Sequence, residues 1–84
     1  MHLALSVAVE KPSNEREKNS IGDLIKAFDK LLRDYEVEPV VWDTSETDSR
    51  FVFDAYIPGD CLPEFDECAD FITEMYEDYK EQAS

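Results

Sequence analysis

Basic residues are scarce in this chain of 84 residues: Lys and Arg total 8 against 21 Asp and Glu, for a formal net charge of −13. Binding to nucleic acid or to anionic membrane runs on Lys and Arg that neutralise phosphates, so charge excludes both as direct partners. Histidine occurs once, at His2, and cysteine twice, at Cys61 and Cys68. A structural zinc site wants four ligands, and these three residues, with no C-x-x-C pair among them, fall short. The same shortage leaves serine and cysteine nucleophiles without a histidine base, because His2 stands at the start of an apolar run with no evident partner. Glycine occurs twice, at Gly22 and Gly59, and neither belongs to a phosphate-binding loop. No apolar stretch approaches the roughly 20 residues of a membrane span.

Residues 1–10 are apolar but lack a basic leading segment and meet a charge at Glu10, which argues against a secretory leader. A cytoplasmic location, with Cys61 and Cys68 as reduced thiols, is therefore expected; for a phage-encoded chain that is the host cytoplasm.

What is present suffices for a fold. Acidity of this degree can mark disorder, but disorder needs few aromatic and branched residues, and this chain is 43% hydrophobic and 12% aromatic. Its length allows one domain, 1–84, that buries roughly 60–65% of the surface an unfolded chain exposes. Leu3, Leu5, Val7 and Val9 alternate with smaller or polar residues, which predicts a strand, and the small alternate face predicts neighbours on both sides. The polar, mixed-charge stretch 11–19 with Pro12 reads as a mobile loop. Ser20 is positioned as a helix cap ahead of Ile21, Leu24, Ile25, Phe28, Leu31, Leu32 and Tyr35, which recur at helical spacing. Pro39 forbids continuation, so the helix ends near Tyr35 or Glu36.

Residues 40–42 and 50–57 read as two strands joined by a polar hairpin loop, 43–49. Phe51, Phe53, Ala55 and Ile57 share one face of the second, while Val52, Asp54 and Tyr56 share the other; Pro39 favours an edge position for the first. Pro63 suits the first turn of a last helix, 64–81, whose apolar stripe is Phe65, Cys68, Ala69, Ile72, Tyr76 and Tyr79. The order β-α-β-β-α predicts an α+β two-layer sandwich, a three-stranded sheet with two helices on one face. By element order it resembles a ferredoxin-like fold without its last strand.

The charge is not evenly spread. Residues 1–42 hold 6 bases and 8 acids, a net of −2, whereas residues 43–84 hold 2 bases and 13 acids, a net of −11. On a helical wheel Asp66, Glu67, Asp70, Glu74, Glu77, Asp78 and Glu81 fall within an arc of about 120° that contains no base. An ordinary solvated face would interleave Lys or Arg at i+4, and acids near a helix C-terminus oppose its dipole. The arrangement carries a local penalty on the order of 1–2 kcal/mol, which a cationic partner would offset.

Seven carboxylates over roughly 22 Å place one charge per ~3 Å of helix axis, close to the ~3.4 Å phosphate spacing of one DNA strand. Asp43, Glu46 and Asp48 on the hairpin loop extend that track if the loop points the same way. Phe71 and Met75 border the arc, where an apolar anchor beside charges serves an interface.

Catalysis by paired carboxylates needs a pocket that separates two pKa values, and an exposed helix face offers none. Asp43-x-Ser45-x-Thr47 begins like a calcium loop, but its sixth position is Asp48 and its twelfth is Asp54, so the signal is weak. No metal or cofactor is expected. In size and charge the chain resembles phage-type anti-restriction, anti-CRISPR and glycosylase-inhibitor proteins, a resemblance of composition that implies a viral, non-enzymatic inhibitor. That reading is a DNA mimic in which carboxylates replace phosphates in the basic groove of a nucleic-acid-binding protein. The alternative is a small interaction module, an antitoxin, an immunity protein or a complex subunit, docking through Trp42, Phe71 and the sheet edge. A homodimer that covers the open sheet face is a further arrangement this pattern allows.

Overall fold

The computed structural model describes residues 1–83. Its elements run β1 (His2–Glu10), α1 (Glu15–Asp34), β2 (Val41–Glu46), β3 (Arg50–Ile57) and α2 (Leu62–Ala83), with one 3-10 turn, Gly59–Cys61, ahead of α2. The strand order is β1-β3-β2 and both pairings are antiparallel, so β1 and β2 run parallel on either side of β3. A tight hairpin forces β2 beside β3, and the crossover through α1 carries the chain from one edge of the sheet to the other, a split β-α-β arrangement. The α+β architecture expected from element order is the one observed.

Position within the sheet departs from expectation. β1, read as flanked on both sides, is an edge strand, and β3 takes the centre. β3 carries the larger inward payload: Phe53, Ala55 and Ile57 are all fully buried, and the central place lets both helices cover them. The small residues Ser6 and Ala8 of β1 lie exposed on the open face. A register shift between Leu3 and Leu5 also breaks the expected alternation. The one-residue slip turns Leu3 to the open face, 54% exposed, instead of joining Leu5, Val7 and Val9.

α1 begins earlier than its apolar stripe. Asn14, in extended conformation, is the N-cap, and its Oδ1 accepts the Glu17 N–H at 2.9 Å. Ser13 completes a reciprocal box, its N–H and hydroxyl both donating to the Glu17 carboxylate. Residues 15–19 are therefore helix rather than mobile loop. Ser20 is not the cap; its hydroxyl donates back to the Arg16 carbonyl. The first turn was obscured because its residues are good helix formers that bury nothing.

The far end of α1 closes in a Schellman turn. The Glu36 N–H bonds the Arg33 carbonyl at 2.9 Å and the Val37 N–H bonds the Leu32 carbonyl at 2.8 Å. This requires Glu36 to sit at φ 64°, the left-handed region that a side chain disfavours. Val37 and Leu32, both fully buried, make the apolar contact that accompanies the turn.

The core lies between the sheet and the two helices. Phe28 of α1 meets Phe53 of β3 with ring centroids 6.1 Å apart, and Trp42 of β2 meets Phe53 at the same distance. Leu32 from α1, Cys68 and Ile72 from α2, and Val7 and Val9 from β1 complete it. At the α1–β2 margin the Trp42 indole N–H donates to Asp29 Oδ1 at 3.2 Å, and Arg33 Nε donates to Asp29 Oδ2 at 2.9 Å. Burial pushes the Asp29 carboxyl up, but the hydrogen bonds from Arg33 and Trp42, with the Arg33 charge, outweigh it and hold the group below the ordinary carboxylate range. Cys61 and Cys68 are both free thiols.

Two outcomes follow from these contacts. Glu36→Gly relieves the left-handed strain and raises stability by about 1 kcal/mol, a few degrees of thermal midpoint in a chain of this size. Asp29, depressed in the fold, contributes stability at neutral pH that is lost as pH falls through its folded pKa. In thermal melts of wild type beside Asp29→Asn, the gap in midpoint is widest near pH 7 and closes as pH falls below the ordinary Asp range of about 3.9; a gap that widens in acid contradicts the assignment.

Candidate partner-binding surface

α2 is amphipathic because most of its apolar residues recur on one flank. Cys68 and Ile72 are buried, and Phe65, Met75, Tyr76 and Tyr79 pack partly against the core. Asp66, Glu67, Asp70, Glu74, Glu77, Asp78 and Glu81 are all exposed on the opposite flank, so the structure places the seven acids together along one solvent face.

Among the described residues, no Lys or Arg pairs with Asp66, Glu67, Asp70, Glu74, Glu77 or Asp78; the ion pairs are Lys11–Glu46 and Arg33–Asp29. Lys80, the one base of α2, does not reach back across its own helix. Its ammonium sits 5.3 Å from the centroid of the Tyr76 ring, a cation–π contact on the side away from the acids. Tyr79, near the C-terminal end of α2, packs partly against the core. Its hydroxyl is pushed above the ordinary phenol range by burial first, then by Glu17, Tyr76 and Glu10.

The hairpin acids do not all join this face. The expected loop 43–49 narrows, because β2 continues to Glu46 and Thr47 closes the turn, its N–H bonding the Arg50 carbonyl at 2.9 Å while its hydroxyl accepts the Arg50 N–H. Asp43 is therefore a strand residue. It lies opposite Asp54 in the register, on the face turned away from the helices, since its neighbours Trp42 and Phe53 occupy the helix side. Glu46 is paired with Lys11 at 3.4 Å. Asp48 alone of the three stays in the turn. Extended pairing of 43–46 also removes the loop a calcium ion would need, and among the described residues no three His, Cys, Asp or Glu side chains converge to hold a metal.

The apolar residues divide as well. Phe71 is 47% exposed, resting on the Tyr35 ring at 6.1 Å, beside the acidic arc. Met75 is half-buried and packs against the core. Trp42 is half-buried and engaged with Phe53 and Asp29.

The register reveals a row that sequence reasoning missed: Leu3, Tyr56 and Val41 stand side by side across the open face, with Leu3 and Val41 about half exposed. Only the bulge and the pairing offset bring them together, and neither has a signal in the residue pattern.

No described helix is long and apolar enough to cross a membrane. Comparison with protein-family models, curated proteins and solved structures finds no match to this chain.

The unpaired acids make a prediction about the isolated protein. Glu74→Lys replaces repulsion with attraction toward Asp70, Glu77 and Asp78, so the variant is more stable than wild type by about 1 kcal/mol at low ionic strength. Thermal melts in dilute buffer and in 0.5 M salt check it. The advantage shrinks in salt, where the pairs are screened within roughly 5 Å.

Proposed function

We propose that this protein is a non-enzymatic inhibitor that mimics a nucleic-acid strand, laying the acidic face of α2 into the basic groove of a nucleic-acid-binding protein. The observation that carries the reading is the row of exposed carboxylates Asp66, Glu67, Asp70, Glu74, Glu77 and Asp78, which pair with no Lys or Arg among the described residues, on a helix whose single lysine is turned toward Tyr76. A folding helix gains from interleaved charges and this one forgoes them. Opposite charge supplied by a partner turns the local penalty into binding energy, with association steered and accelerated by the field of the acidic half. Phe71, exposed next to Asp70 and Glu74, supplies an apolar anchor at the rim of the charged track.

Docking through apolar surface is the competing reading, and one observation favours it: the exposed row Leu3, Tyr56 and Val41 on the open face. The two differ in salt response. Charge mimicry weakens steeply between low and high salt and is competed by duplex DNA or RNA, whereas apolar docking responds to neither.

The test is capture of binding proteins from a cell lysate at low salt by immobilised wild type, Glu74→Lys/Asp78→Lys and Glu15→Lys/Glu17→Lys. Mimicry predicts a nucleic-acid-binding protein that wild type retains, that duplex DNA releases, and that the α2 reversal loses by at least about tenfold more than the α1 reversal. Equal losses from the two reversals, or capture indifferent to DNA, remove the reading.

A further inference from the structure

The two edges of the sheet are guarded unequally. β2 carries Asp43 and Glu46 and follows Pro39, features that keep an exposed edge from pairing with another chain. β1 has no charge and no proline from Leu3 to Val9, and its outer side bears unpaired backbone groups. The Lys11 N–H bonds the Ser49 carbonyl on the β3 side, whereas the Ala8 carbonyl faces outward and accepts only the Tyr76 hydroxyl, at 3.4 Å. Alternation then turns the N–H and C=O of Ser6, Ala8 and Glu10 away from β3. Beside them runs a groove of about 190 Å³ between β1 and α2, lined by Leu5, Ser6, Val7, Ala8, Ile72 and Tyr76 with Thr73 at its rim.

We propose that a second copy of this chain occupies this edge, β1 pairing antiparallel with β1 of its partner to make one continuous six-stranded sheet. A chain of net charge −13 can approach its copy only through a neutral surface, and this edge is such a surface. Ser6 and Thr73 both line the groove, and a two-fold axis passing beside them sets Ser6 opposite Ser6 of the second copy and Leu5 opposite its Val7, filling the groove with apolar side chains.

The helix layer fits the same axis. Lys80 and Asp66 lie seven residues on either side of Thr73, about 10.5 Å each way. Antiparallel placement of the two α2 helices therefore brings Lys80 of each copy to Asp66 of the other. The small and polar Ala69 and Thr73 occupy the flank between. This inference stands on the β1 edge and does not depend on the nucleic-acid-mimic reading.

Sedimentation equilibrium over a concentration series tests it, beside circular dichroism to follow the fold. Wild type is expected to be a dimer in reversible exchange with monomer. Ala8→Pro removes an outward N–H that the fold does not use, and should weaken dimerisation at least about tenfold with the spectrum unchanged. Lys80→Glu and Asp66→Lys should each weaken it, and the double variant that exchanges the two charges should recover most of the loss. The exchange keeps the test decisive should Ala8→Pro fail to fold. A wild type that stays monomeric up to millimolar concentration overturns the proposal, as does a dimer untouched by Ala8→Pro and by both single reversals.

Discussion

Burial of Phe53 against Phe28 is the contact on which the other arrangements depend. It sits where the central strand passes under α1, and both rings are wholly removed from water. A chain this short builds one core, and the order of strands is the order that keeps β3 beneath both helices. Once the inward face of β3 is committed, Trp42 packs on Phe53 and is held by Asp29, while Cys68 and Ile72 commit one flank of α2. The carboxylates then lie outside that core, which contains no buried polar or charged residue. The separation of charge from core is thus a consequence of size, but its concentration on α2 is not.

That concentration works against the fold. Like charges at i+4 from Asp66 through Asp78 and acids at the C-terminal end of α2 together oppose helix formation by an amount on the order of 1–2 kcal/mol. Small domains hold only about 5–10 kcal/mol in reserve. Agreement between local preference and global structure is the usual state of a natural sequence, and a region where they conflict is one where something other than folding has shaped the residues. α2 is such a region, whereas α1 interleaves Lys26, Asp29, Lys30, Arg33 and Asp34 on its own exposed face.

How much of this was legible in the residues varies with the physics involved. The inward set Phe51, Phe53, Ala55 and Ile57 could be read directly, because packing of one face against the core leaves an unbroken period of two. The acidic arc of α2 was equally plain, since a helical wheel needs no tertiary information. The start of α1 was hidden because its first turn is capped and polar, so periodicity had nothing to register there. β2 beyond Trp42 was hidden for a related reason: an exposed edge strand of sequence DTSE reads as a loop until its partner is known. The central place of β3 and the turning of Leu3 onto the open face were beyond reach, because crossover and bulge are properties of pairing rather than of residue type. The same limit separated Asp43 from α2, as register alone decides which side of the sheet a strand acid occupies.

Charge placement also explains why the two sheet edges differ. Asp43 on β2 faces Asp54 across the hairpin, a like-charge pair that weakens the sheet slightly yet makes that edge hostile to another acidic chain. Ser6, which donates to Asp54 at 2.6 Å, relieves part of that repulsion from the β1 side without adding charge to the β1 edge. A strand with no charge from Leu3 to Val9 in a chain with 21 acids contrasts with one that carries two within six residues. The acids therefore divide the surface into three kinds: a helix face dense in carboxylates, a strand edge that carries Asp43 and Glu46, and a β1 edge with no charge from Leu3 to Val9.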